Sequence, residues 1–296
     1  MLYLPKAHRV QRVLYSNNKN KHSRASKEAL GVFLKRGQNC MKVIIFEGPR
    51  GSGKSSLIED ARHYLTKKGL KVECYFLPGT TDATKQMRQL VLKDSTVSML
   101  SRRFLQIAAG LDDHLNIENI VSQSEADYVL FDRSSLISNF IYGVMAGSSE
   151  DEVNIAKQAG RLYNDVNSKI PDLHHIFVYA DTELCLQRIH PRNKEKDYLD
   201  LEMDEERERT YNDAYLGLFI TLNNEALNHY EKRLHSNAKH PDWCNMILNY
   251  SVSELKDIVT NYGMDIDFYQ KNSIFLLNSS TRKRALNDFL FYIGEN

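Results

Sequence analysis

Residues 46 to 56 read FEGPRGSGKSS. Ahead of them, Lys42 to Phe46 is short, apolar and β-branched, which predicts a buried strand. Behind them, Ser55 to Lys67 carries a helical pattern that Gly69 stops. Gly48, Gly53, Lys54 and Ser55 complete the pattern G-x-x-x-x-G-K-[ST] at every fixed position. Glycines at that spacing let backbone N–H groups turn inward around a phosphate, and the helix N-terminus adds its positive dipole end. Lys54 is then expected to reach the β- and γ-phosphates, and the Ser55 hydroxyl to take a position at Mg²⁺. A strand, this loop and a helix in that order leave few folds open.

The rest of the chain continues the alternation. Strands are expected at Lys71 to Leu77, Tyr128 to Phe131, His175 to Tyr179 and Ile274 to Leu277. Helices are expected at 82 to 93, 97 to 121, 151 to 168, 182 to 189 and 281 to 293, with another running through Gly143. Strands alternating with helices predict an α/β fold, a doubly wound parallel sheet of about five strands covered on both faces. Asp204 to Leu234 reads as one long charged segment with Tyr211, Tyr215, Leu218 and Leu222 along one face. Residues 222 to 272 break the rhythm and read as an insertion on the rim. Within it, Ser251 and Glu254 form a capping box and Gly263 a stop.

Composition excludes several classes. No run of about 18 apolar residues exists, so no membrane span is expected. Cys40, Cys74, Cys185 and Cys244 lie far apart, which suggests neither a zinc site nor a disulfide framework and fits a reducing, cytoplasmic setting. The net charge of +1 hides an asymmetry: residues 1 to 40 hold nine Lys/Arg and one acid, at +8, leaving −7 on the remainder. This leader has three readings. It is a disordered basic arm that touches nucleic acid, a basic, acid-poor transit peptide, or a segment outside a core that starts at Met41. The core is expected over 41 to 296.

A phosphate cradle alone does not say what is done with the nucleotide. Switch and motor ATPases carry a catalytic Glu after the acidic end of the next strand, where this chain has Arg133 after Asp132. The guanine-reading N-K-x-D is absent, since Asn193-Lys-Glu-Lys-Asp197 is one residue too long and lies in a charged loop. Asp132-Arg133 suits a kinase: a carboxylate at a strand end holds a Mg²⁺ water or accepts a proton, and the arginine grips a phosphate.

With these motifs in order, the chain resembles the thymidylate kinase family of P-loop kinases and its deoxynucleoside kinase relatives. The resemblance runs through FEGPRGSGKSS, LPGTTDATKQMRQLVL, FLQIAAGLDDH, VLFDRSSLISNFIYG, PDLHHIFVYADTELCLQRI and RNKEKDYLDLEMDEERERTYNDAY. It implies that Gly48, Arg50, Gly51, Ser52, Gly53, Lys54, Ser55 and Ser56 cradle ATP, with Mg²⁺ at Ser55 and Asp132. It implies that Asp132 and Arg133 work beside the acceptor phosphate, Pro78 and Gly79 line the acceptor pocket, and Arg88 grips the acceptor phosphate. Arg188, Arg192, Lys194 and Lys196 match a lid near 188 to 205, with Arg188 and Arg192 closing over the donor. Ser279 to Arg282 match the loop flanking adenine. His114 matches a base-site position, and Tyr142, with Phe104 and Phe140, is placed near the acceptor base. Relatives are commonly dimers through helices such as 97 to 121.

The departures fall on the acceptor side. Family members carry Arg-Glu before the Pro-Gly turn, where this chain has Phe76-Leu77. Arg50 stands at the usual acidic position of the loop, and Gly110-Leu111 where Asp-Arg usually faces thymine. The leading expectation is an ATP-dependent nucleoside monophosphate kinase with a small-molecule, thymidylate-like acceptor. The alternatives are a kinase acting on a deoxynucleoside or on a nucleic-acid hydroxyl or base, and a P-loop protein that binds ATP without catalysis. The acidic main body disfavours a nucleic-acid backbone.

Overall fold

β1 (Lys42–Glu47) is the middle strand of a parallel sheet with β2 (Val72–Phe76), β3 (Tyr128–Asp132), β4 (Leu173–Tyr179) and β5 (Ser273–Leu277). The order is β2-β3-β1-β4-β5, and every neighbouring pair is parallel. The computed structural model describes residues 41–142, 150–167, 169–189, 205–235, 251–278 and 282–295. Residues 1–40, Gly143, Arg192, Lys194, Lys196 and Ser279 to Thr281 lie outside them.

A strand buried on both faces must be apolar at odd and even positions alike. β1 satisfies this: Val43 and Ile45 join one buried cluster, and Ile44 and Phe46 another. On the face of Ile44 and Phe46 lie α1 (Lys54–Lys67) and the closing helix α11 (Arg282–Ile293), which bring Leu57, Ile58, Ala61, Leu65, Phe289 and Leu290. On the other face, α2 (Asp82–Lys93) and α3 (Met99–Gln123) lie beside the β2–β3 half of the sheet, and Ile117 and Val121 of α3 cover it. The largest cluster lies around α4 (Ser135–Phe140), α5 (Glu150–Asn167) and α7 (Glu205–Leu222). α6 (Thr182–Ile189) follows β4 and packs against the glycine loop.

Local signals explain several helix ends. Thr81 caps α2 through a capping box with Thr84. Gly69 takes φ 86° just past α1. The Ser251–Glu254 capping box opens α9 (Val252–Tyr262), and Gly263, at φ 100°, ends it.

Two expectations change. The charged segment from Asp204 is two helices, α7 and α8 (Asn224–His235), joined at Asn223. The Asn223 side chain accepts from the N–H groups of Glu225 and Ala226 and donates to Ser273, so it starts a new helix and ties it to β5. α7 is also buried on every side from Asn212 to Leu222, not along one face. The second change concerns the rim insertion. α9 and α10 (Ile266–Asn272) place Leu255, Val259, Tyr262 and Tyr269 in the main core, because α7 needs cover on the side away from the sheet. Among the described residues, no helix is long and apolar enough to cross a membrane.

Candidate active site

The loop between β1 and α1 can hold its shape only with glycine at key points. A Cβ on Gly48 would lie 2.0 Å from the Val178 carbonyl oxygen of β4. Gly53, the residue before α1, sits at φ 88°, and a Cβ there would meet the Asn278 amide at 2.2 Å. The loop is braced from outside. Arg188 donates to the carbonyls of Gly51, Ser52 and Asn278 at 3.1, 3.4 and 3.1 Å. Asn278 adds a bond of 2.8 Å to the Ser52 carbonyl. This corrects the reading of Arg188 as a lid cation over the donor. α6 lies so close to Gly51 that its last turn delivers Arg188 to the loop's carbonyls, and the guanidinium supports the cradle.

Inside the cradle, Ser55 Oγ donates to Asp132 Oδ2 at 2.7 Å, and Lys54 Nζ lies 3.7 Å from Asp132 Oδ1. The parallel pairing of β1 and β3 creates this meeting, since it sets Phe46 opposite Asp132 at the strand ends. Lys54 is almost fully buried. Burial and the nearby Arg133 pull its pKa down, while Asp132 and Glu47 hold it up. Glu47, at the end of β1, is fully buried, and burial pushes its carboxyl up against the opposing pull of Arg133, the Ser134 N–H and Lys54.

Arg133 has φ 83°, a left-handed conformation rare for a residue other than glycine. Three contacts hold it there. Its N–H donates to the Phe46 carbonyl at 2.9 Å, the next N–H, of Ser134, donates to Glu47, and its guanidinium donates to the Tyr215 hydroxyl at 2.5 Å. A cavity of about 230 Å³ opens in front, lined by Arg50, Gly51, Gly53, Lys54, Ser55, Ser56, Phe76, Leu77, Arg88, Asp132, Arg133 and Ile189. Four cationic side chains against one carboxylate make this a site for an anion. Arg50 is paired with Glu208 of α7 at 2.8 Å.

The acceptor turn lies at the far side. Arg88 donates to the Pro78 carbonyl at 3.2 Å, so turn and cation are in contact. Asp113 of α3, which sequence reasoning missed, accepts from the Gly79 N–H at 2.5 Å, the Thr80 N–H at 2.8 Å and the Thr80 hydroxyl. A signal existed: Asp113, Ile117 and Val121 are four residues apart on one buried helix face, and a buried carboxylate requires donors. Glu47, Glu208, Tyr215 and Asn278 were also missed, each on an element remote in sequence from the residue it holds.

His114 falls elsewhere. It is buried between α3 and α5, with Nε2 at 2.6 Å from the Tyr163 carbonyl and its ring edge-on to the Tyr163 ring, and it does not line the cavity. The expected base contact is therefore replaced by core packing, because its helix face points at α5. Phe140 is likewise a core residue, and Tyr142 packs edge-on against Tyr211 at 4.7 Å. Gly110 is small for a reason: a Cβ would meet the Tyr163 hydroxyl at 2.6 Å and Ser135 Cβ at 2.9 Å. The acidic side chain that the family resemblance leads one to expect there would have no room. Arg282 pairs with Asp60 and the Ser56 carbonyl on the donor side.

The burial of His114 sets a pH dependence. Burial holds its pKa down at about 4, against 6.5 in the unfolded chain, with the Tyr163 carbonyl pulling weakly upward. Between those values the unfolded chain binds the extra proton, so stability falls as pH drops through the window, by up to roughly 3 kcal/mol. We expect the melting temperature to fall between pH 7 and 4.5, and His114→Gln to lose about one proton's share of that slope.

A parallel sheet with this order, a glycine cradle between β1 and α1, and a lysine and serine converging on the aspartate at the end of β3 define a P-loop kinase. The sequence profile of the thymidylate kinase family matches residues 46–247. The chain is 33% identical over 172 residues to a thymidylate kinase of Caldicellulosiruptor saccharolyticus, an alignment covering 58% of this chain and 80% of that protein. It is 31% identical over 161 residues to one of Bacillus velezensis, covering 54% and 73%, and 29% identical over 160 residues to one of Staphylococcus epidermidis, covering 54% and 74%. The chain belongs to the thymidylate kinase family, and as a member it is a nucleotide kinase.

Proposed function

We propose that the protein transfers the γ-phosphoryl group of ATP to a thymidylate-like deoxynucleoside monophosphate. The observation that carries this reading is the shared cavity wall in which the donor cradle, the Asp132–Arg133 pair and the Arg88 turn meet. The residues fit the donor. A side chain at Gly48 or Gly53 would collide with the Val178 carbonyl or the Asn278 amide and distort the cradle, and Lys54 is the buried cation within it. Ser55 and Asp132 are hard oxygen ligands 2.7 Å apart, of the kind Mg²⁺ takes, and would hold it. A bound Mg²⁺ would neutralise charge on the β- and γ-oxygens.

The chain's own residues do the rest. One P–O bond forms to an acceptor phosphate oxygen as the β–γ bridge bond breaks, so no strong base is required. Lys54 and the loop N–H groups bind the donor oxygens. Arg133, fixed by Tyr215 and Glu47, and Arg88, on the Pro78 carbonyl, bring two acceptor oxygens' worth of positive charge to the same side of the cavity. Positioning and charge stabilisation then supply most of the rate. Arg192 and its neighbours remain our candidates for closing over the transferring group.

Labelled ATP and Mg²⁺ with a panel of deoxynucleoside monophosphates, nucleosides and a DNA oligonucleotide test this. Label is expected in thymidine diphosphate. Label only in a nucleoside or in DNA would replace this reading by a kinase of that acceptor.

We also propose a homodimer through α3. Leu100, Phe104 and Leu115 are about half exposed at helical spacing on its outer side. Sedimentation should give twice the chain mass, and Phe104→Glu a monomer. Cys74 and Cys185 are unbridged thiols, which supports a cytoplasmic setting.

A further inference from the structure

We propose that Asp113 is the positioning residue of the acceptor site. Its carboxylate is fully buried and sits beneath the turn that directly follows Phe76 and Leu77 of the cavity wall. Gly79 N–H reaches one oxygen at 2.5 Å, and Thr80 N–H and hydroxyl reach the other, the N–H at 2.8 Å. Two successive backbone N–H groups closing on an anion form a concave donor pair that holds a carboxylate tightly. Neighbouring residues of α3 extend the attachment. Asn116 Nδ2 donates to the Thr80 hydroxyl at 3.1 Å, and Asp112 accepts from the Thr81 hydroxyl at 3.1 Å.

Thr81 is also the N-cap of α2, and α2 carries Arg88. Arg88 in turn donates to the Pro78 carbonyl. α3 therefore holds both ends of the unit that grips the acceptor: Asp113 takes the turn directly, and its neighbour Asp112 takes the start of the helix that carries the guanidinium. The donor cradle takes no part in this network. Its braces come from α6 and from Asn278 after β5, on the other side of β1. The two substrates thus have separate supports, and Asp113 acts through the acceptor's alone.

The inference rests on the acceptor reading above, so its test has two readouts. The first is steady-state kinetics of Asp113→Asn with ATP and thymidine monophosphate. The change keeps the side chain's shape but presents an NH₂ to a backbone or hydroxyl donor. The KM for the monophosphate should rise at least tenfold, while the KM for ATP stays within twofold. Thr80→Ala, which keeps the backbone donors and the fold, should raise the monophosphate KM about threefold, again without effect on ATP. The second readout is hydrogen exchange of residues 78 to 82 without substrate, which should speed up in both variants while the exchange of 48 to 56 stays unchanged. Unchanged monophosphate KM in both variants, or equal rises for the two substrates, would overturn the inference. A wild-type protein inactive on every monophosphate would sink the functional reading, and unchanged exchange at 78 to 82 would then overturn the anchor independently.

Discussion

Lys54→Ala is expected to lower phosphoryl transfer by roughly a thousandfold or more, since one preorganised charge at the transferring group is worth that order. The structure makes this cation hard to replace. Lys54 is buried at the bottom of the cradle, 3.7 Å from Asp132. Arg50 lines the cavity but is engaged with Glu208 of α7. The loss should appear in kcat for every acceptor, because the lysine serves the donor. Steady-state rates of product formation, with a melting curve to confirm folding, decide it. Transfer at the wild-type rate would exclude catalysis through Lys54 and overturn this mechanism, whereas no transfer by the wild-type protein, with ATP still bound, would leave ATP binding without catalysis as the better account.

Tyr262→Ala is expected to destabilise the fold by roughly 3–5 kcal/mol, the usual range for truncating a fully buried aromatic. Tyr262 is completely buried, edge-on to Phe140 at 5.0 Å, and donates to the Leu136 carbonyl at 3.4 Å. Gly160 of α5 lies so near that a Cβ there would be 2.5 Å from the Tyr262 carbonyl oxygen. α9 is thus wedged against α4 and α5, close behind the residues that follow Arg133. Chemical denaturation at neutral pH gives the measurement. A loss under about 1 kcal/mol, the size of an ordinary surface change, would mean that α9 is an addition to the surface after all.

Much of the donor site was legible. The cradle is a local pattern in which left-handed glycines, a strand end and a helix start lie within a few residues of one another. Asp132 was equally readable, since a short buried strand ends on it. Legibility stopped where a side chain's role depends on its partner. Arg188 reads as a lid cation because its segment resembles the family's lid, yet the approach of α6 to Gly51 turns it onto the loop. His114 reads as a base contact by position along α3, and helix packing against α5 removes it.

By itself, then, the sequence determined the alternation of strands and helices, the phosphate cradle and the kinase chemistry at the end of β3, because each depends on spacing between near neighbours. Tertiary structure alone decided what holds the acceptor side. Asp113 meets Gly79 across 34 residues, Tyr215 meets Arg133 across 82, and Glu208 meets Arg50 across 158. No periodicity links such pairs. They come together only when the parallel sheet brings the strand ends to one edge and α3 and α7 close over them.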